Sequence, residues 1–202
     1  MDIETIAIGI LIYTFGEKME LSTMIDLETL ATTPDAVILQ IAAVKFDPFD
    51  DYLTRGVGLA DLQTLDIMVD VDSQPDRNVN PETLDWWAQQ DPQVQERIFS
   101  PDNRVAFKDA LMTLHRFVWN SSGRIWCQGT SFYISILEHA YRAIDHPYPW
   151  RYWQAMDVRT VMNLYRVPMP PATHDAMEDC FRQIIGLQKA LKGLDVKAFV
   201  NR

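Results

Sequence analysis

The order of apolar patterns along this 202-residue chain predicts an α/β fold, a mixed central sheet with flanking helices. Strand-like runs come first, at 20–29 and 36–46, and a further short run at 124–127 is set among helical segments. Helical periodicity fills most of the second half and ends in an amphipathic stretch at 174–191. No linker or low-complexity tract interrupts these elements.

The first strand carries Met24-Ile25-Asp26-Leu27-Glu28-Thr29. Alternate strand side chains share a face, so Asp26 and Glu28 project together, roughly 6.6 Å apart at about 3.3 Å per residue. Two carboxylates between apolar neighbours suit a strand with one face in the core and the other on a metal. After a turn at 32–35, the run Val37-Ile38-Leu39-Gln40-Ile41-Ala42-Ala43-Val44 is nearly continuously apolar, as in a central strand covered on both faces. Asp47-Pro48 ends it, and a third strand is expected at 65–71, before the polar loop 72–78.

Asn80-Pro81-Glu82 supplies a capping residue and a proline for the first helical position, so a helix starts there. Asp91-Pro92 breaks it, and a second short helix follows at 93–99. A longer helix is expected at 101–119, with Val105, Leu111, Leu114 and Val118 as its apolar stripe. Gly129 allows the turn from the strand at 124–127 into a helix at 131–144. Residues 146–150 form a loop and 157–165 a helix. Pro168 to Pro171 makes a stiff approach to the last helix, whose Met177, Cys180, Phe181, Ile184, Leu187 and Leu191 face the core.

The length suits one domain, large enough to bury about 70% of its unfolded surface. The pattern becomes regular only near Met19, so the domain is placed at 19–202, with 1–18 an N-terminal extension of unassigned role. There Asp2-Ile3-Glu4-Thr5 echoes Asp26-Leu27-Glu28-Thr29, but no downstream pattern follows it. Cys127 and Cys180 each lie in an apolar run and read as buried reduced thiols. The formal net charge of −10 argues against non-specific grip on a long duplex, which depends on Lys and Arg neutralising phosphates. It leaves room for an enzyme that meets a short strand end through bound cations. The apolar run at 6–13 is shorter than the about 20 residues a membrane helix needs. No basic segment precedes it, so a cytoplasmic protein without membrane attachment is expected.

Near the C-terminus stands Thr173-His174-Asp175-Ala176-Met177-Glu178-Asp179. A histidine in the first turn of a helix and a carboxylate five residues on can both reach a cavity at the helix mouth, His174 as general base and Asp179 as metal ligand. Alternatively, His174 caps the helix while Asp175, Glu178 and Asp179 complement its dipole.

Taken together with Asp26 and Glu28, these motifs resemble the DEDDh family of 3′-5′ exonucleases. The resemblance runs over 19–191 and is carried by Ile25-Asp26-Leu27-Glu28-Thr29, by Thr83 through Trp86-Trp87 to Gln90, by Trp126-Cys127-Gln128-Gly129-Thr130-Ser131-Phe132, by Asp157-Val158-Arg159-Thr160, and by His174, Asp175 and Asp179. It is strongest toward the phage exonuclease A type, with a bacterial exoribonuclease group as second neighbour. The resemblance implies an RNase H-like three-layer fold and hydrolysis of single-stranded DNA or RNA from its 3′ end with two divalent cations, Mg²⁺ or Mn²⁺. It implies that Asp26, Glu28 and Asp179 hold the first ion, that Asp26 bridges to the second, and that His174 deprotonates the attacking water. It also places the protein in the cytoplasm of a bacterium or a phage-infected bacterial host.

One family carboxylate is missing. The second motif ends in Asp in phage relatives and here reads Gly129-Thr130-Ser131-Phe132-Tyr133, so a neutral phenol stands where a charge is expected. One ion is therefore better provided for than two, and hydrolysis is expected to be reduced or lost. Glu138, five residues further on, is placed poorly to compensate. The rival is an inactive module that binds nucleic acid or a protein partner through the same fold.

Thr29, Phe132, Trp86, Gln90 and Arg159 are the candidate substrate contacts. Trp86 and Trp87 point about 100° apart on a helix, so one lines the cleft, where it stacks a base or seats a partner subunit in a homo-oligomer, and the other is core. Arg159 positions phosphate or pairs locally with Asp157, and Phe132 is core or a floor under the terminal base. His115, His139 and His146 lack metal-ligand spacing and read as structural or solvated.

Overall fold

A five-stranded mixed sheet lies at the centre of residues 20–119 and 123–199, the part of the chain that this computed structural model describes. Its strands are β1 (Ser22–Thr29), β2 (Ile38–Phe46), β3 (Gln63–Met68), β4 (Ile125–Cys127) and β5 (Ala155–Asp157), in spatial order β3-β2-β1-β4-β5. The first three pair antiparallel; β4 runs parallel to β1, and β5 parallel to β4. The helices are α1 (Tyr52–Arg55), α2 (Pro81–Trp87), α3 (Pro92–Phe99), α4 (Phe107–Val118), α5 (Thr130–Ala143), α6 (Val158–Leu164) and α7 (Ala176–Gly193).

Strand alternation divides the core into two sides. Ile25 and Leu27 of β1, Ile41 and Ala43 of β2, and Ile125 and Cys127 of β4 pack with Leu111 and Leu114 of α4 and Leu137 and Ala140 of α5. Met24, Ala42, Val44 and Trp126 occupy the alternate positions and pack with Val158 of α6 and with Cys180, Ile184, Leu187 and Leu191 of α7. Ile184, Leu187 and Leu191 each contribute about 1.5 to 3 kcal/mol by leaving water. A smaller cluster joins Leu30, Val37 and Leu39 to Trp87 of α2 and Ile98 of α3. The result is the RNase H-like three-layer arrangement, with Cys127 and Cys180 buried and unbridged.

Several boundaries differ from the sequence reading, each for a tertiary reason. The third strand begins earlier, at Gln63, because its register follows β2 to Lys45. Helix α4 starts at Phe107 rather than at 101, because Val105 is drawn into a parallel bridge with Val69. The short strand β5 and the single-turn α1 were not foreseen; α1 is held by its Asp51 cap and by Gly56 in the left-handed region. Asn80 and Asp91 cap α2 and α3 through their side chains, with proline next in both. Residues 1–19 lie outside the described residues, and with them the extension and its acidic pair. Among the described residues no helix is long and apolar enough to cross a membrane.

Candidate active site

Strand β1 sets Asp26 and Glu28 opposite Ala42 and Gln40 of β2, in the same alternation as Met24, so both carboxylates face α7. Both are buried, at 2% and 8% exposure. Helix α7 brings Asp179 to them, also buried, and the turn before α7 brings His174. One oxygen each of Glu28 and Asp179 and one ring nitrogen of His174 all lie within 4.8 Å of one another.

His174 is not in the first turn of the helix. It stands two residues before α7 in the left-handed region, with φ +55°, and Asp175 is the cap, accepting from the backbone of Met177 at 2.8 Å and Glu178 at 3.1 Å. The turn is fastened from several sides. The amides of Thr173 and His174 donate to the two Asp179 oxygens at 3.3 Å each, and the amide of Ala176 donates to Gln40 at 3.1 Å. From α3, Arg97 reaches the Asp175 carboxylate and the His174 carbonyl, both at 2.9 Å. The His174 ring lies edge-on to Trp86, with centroids 4.8 Å apart.

The carboxylates also have partners inside the protein. Gln183 of α7 donates to Asp26 at 2.7 Å, and Arg182 pairs with Asp179 at 2.6 Å. From α5, which Gly129 opens at φ +128°, the Tyr133 phenol comes close enough to Asp26 to lower its pKa. Burial raises the Tyr133 phenol well above the usual tyrosine range, with Asp26 and Glu28 adding to the effect, so it stays neutral. Burial pushes Asp26 up to about 7, aided by the charge of Asp179 and opposed by Gln183, Tyr133 and Arg182. Burial, then the charges of Asp26, Asp179 and Asp175, pushes Glu28 up to about 9, with Arg97 pulling the other way. Clustered hard oxygen donors that lack enough counter-charge to ionise, with an imidazole beside them, fit a divalent cation.

The other sequence candidates are placed as follows. Trp87 is 1% exposed and donates its indole N–H to the Thr29 carbonyl at 2.9 Å, whereas Trp86 is 41% exposed and abuts His174. Thr29 is buried and its hydroxyl donates to the Ala31 carbonyl. Gln90 turns its amide back to the Trp86 carbonyl, and Arg159 donates to the Gln128 carbonyl while Asp157 caps α6 through Thr160. Phe132 packs edge-on against Tyr133 on the α4–α5 side of the core. Glu138 is committed to Arg142 and Trp150. His115 and His146 pack edge to face with their centroids 4.6 Å apart, and His139 meets Arg77.

Gln183, Arg182 and Arg97 were not singled out from the sequence. The first two stand four and three residues after Asp179 and so share its helix face, a spacing that could have flagged them. Arg97 arrives from a distant helix, and no local pattern announces it.

Comparison with known proteins gives this geometry a lineage. The family model of the 3′-5′ exoribonuclease Rv2179c-like domain matches residues 22–190. An exodeoxyribonuclease of Enterobacteria phage T4 is 26% identical over 210 residues, covering 84% of this chain and 88% of its own. The nuclease domain of 3′hExo, a DEDDh family member solved with rAMP, superposes with a TM-score of 0.58 at 10% identity, over 92% of this chain and 98% of that one. E. coli exonuclease I, solved with a dT13 oligonucleotide, gives 0.61 at 14% identity over 87% of this chain and 43% of that one, so this chain spans under half of that enzyme. Described residues and family model thus coincide over the whole sheet and the candidate site, and the chain belongs to the 3′-5′ exoribonuclease Rv2179c-like domain family.

Proposed function

We propose that the chain acts on the 3′ end of single-stranded DNA or RNA as a 3′-5′ exonuclease whose hydrolysis is reduced or lost through Tyr133. The observation that carries this reading is the surroundings of Asp26. In the family pattern a second-motif carboxylate belongs beside it; here a neutral phenol stands close enough to lower its pKa instead. Glu28, Asp179 and Asp26 would hold Mg²⁺ or Mn²⁺, with one ion better served than two. When bound, such an ion polarises the phosphodiester and lowers the pKa of water. The protein's own part is to fix the acidic floor on β1, to accept a proton from water at a His174 ring nitrogen, and to shield that ring on one side with Trp86. The described residues carry no membrane-spanning helix, and the phage relative supports placement in the cytoplasm of a bacterium or an infected host.

A second reading, an inactive binding module, is favoured by one feature: Arg182 and Gln183 already satisfy oxygens of Asp179 and Asp26 from within the chain. Its partner would be nucleic acid, another protein or a second copy of the chain.

The deciding experiment measures hydrolysis of 3′-labelled DNA and RNA oligonucleotides in Mn²⁺ by the native chain and by Tyr133→Asp, with Mn²⁺ binding followed by calorimetry. The expected result is Mn²⁺ binding by both and faster hydrolysis by Tyr133→Asp. Equal full activity in both would remove Tyr133 from the argument. Oligonucleotide binding with neither Mn²⁺ uptake nor hydrolysis in either chain would establish the binding module.

A further inference from the structure

His174 is the one group of the candidate site that no regular element holds. It sits at φ +55°, a region a non-glycine residue occupies only when its surroundings over-determine it. Three contacts come from the α7 side of the turn: the Asp179 oxygens on the amides of Thr173 and His174, and the Asp175 cap. Three contacts come from elsewhere and bear on His174 itself, one of them the Trp87 ring, edge-on with centroids 6.3 Å apart. Trp86 of α2 meets the ring edge-on, and Arg97 of α3 spans the His174 carbonyl and the Asp175 carboxylate with its two terminal nitrogens. Helix α3 is rigid enough to act as the anchor, because Ile98, the next residue, is fully buried and Phe99 packs edge-on against Trp87. A planar guanidinium bridges two acceptors in one fixed orientation, which an ammonium cannot reproduce.

We propose that Arg97 is a positioning residue for His174: its fork fixes the peptide that follows the histidine, and so fixes where the imidazole points over Glu28 and Asp179. The proposal rests on the reading of His174 as proton acceptor, and it adds a functional role for α3, which brings no group of its own to the acidic cluster. Because the Arg97 side chain is 40% exposed, its removal leaves the core intact.

The test uses the full chain as native, Arg97→Ala and Arg97→Lys, without turnover. Amide proton exchange and the imidazole resonance of His174, identified by its loss in His174→Gln, are read by NMR. Expected in Arg97→Ala are exchange at Thr173 and His174 faster by about tenfold or more and an imidazole signal shifted toward that of a free histidine, with exchange at 184–191 unchanged. Arg97→Lys restores the Asp175 ion pair but only part of the protection. Native-like exchange and an unmoved imidazole in Arg97→Ala would overturn the proposal. So would acceleration spread equally through 184–191, which would mark a general loss of stability. In the Tyr133→Asp background Arg97→Ala is expected to lower kcat by about tenfold to a hundredfold with little change in KM, and an unchanged kcat also overturns it. If Tyr133→Asp does not hydrolyse, the nuclease reading fails while the exchange and imidazole measurements still decide the role of Arg97.

Discussion

Glu28 is a group whose burial should show in the stability of the metal-free protein. Its carboxyl is pushed from 4.5 to about 9, by burial first and then by Asp26, Asp179 and Asp175. The folded chain therefore keeps a proton that the unfolded chain releases above about pH 4.5. The stability linked to this group is complete below that pH and declines as pH rises toward about 9. At pH 8 the gap covers about 3.5 pH units, on the order of 5 kcal/mol at about 1.4 kcal/mol per unit, with part of it shared with Asp26. Glu28→Gln keeps the shape and removes the titration. In chelator at pH 8 the variant should melt roughly 10 °C above the native chain, at about 2 to 4 °C per kcal/mol for a domain of this size, and the two should converge near pH 4.5. Mn²⁺ should narrow the gap, since ligand at about a hundred times its Kd adds about 2.7 kcal/mol to a chain that binds it. Thermal melts over pH 4.5 to 8.5, with chelator or Mn²⁺, check all three points. A variant less stable than native in chelator at pH 8, or a gain independent of pH, would refute the reasoning.

Trp87→Phe keeps most of the buried ring but strands the Thr29 carbonyl just after the acidic pair, so a loss of about 1 to 3 kcal/mol is expected in urea unfolding, with little change in Mn²⁺ affinity. Removing residues 1–18 should leave the melting temperature and Mn²⁺ binding as they are in the full chain; a fall in either would show that the domain begins earlier than Met19.

How far the sequence foretold this arrangement varies by element. The stripe of α7 and the apolar run of β2 were legible because burial follows local periodicity there, and Cys180, Ile184, Leu187 and Leu191 sit where that periodicity puts them. The cap Asn80 was legible because an acceptor followed by proline has few other uses, whereas Asp91, read only as a break, turns out to cap α3 in the same way. Val105 was misread as a helix position, since its apolar character suits either an α4 stripe or the bridge to Val69 that it forms. Strand β5 has three half-buried residues and thus too short a pattern to register. At the site, Glu28, His174 and Asp179 come within 4.8 Å of one another, yet the turn that presents His174 was read as helix, because its left-handed residue is stabilised in part by contacts from α2 and α3 that no local pattern announces.

The position of β1 gives the site an uneven resistance to local opening. β2 pairs with β1 along its whole length, Asp26 opposite Ala42 and Glu28 opposite Gln40, while β4 pairs it only at Thr23 and Met24, so the acidic pair comes apart only with the β1–β2 ladder. The stretch before α7 has no such ladder, and excursions that lift it away leave the acidic pair assembled. On the proposed roles, capture of a cation and readiness for proton transfer would be separable events in this fold: the first would survive an opening confined to the turn, and the second would be lost with it.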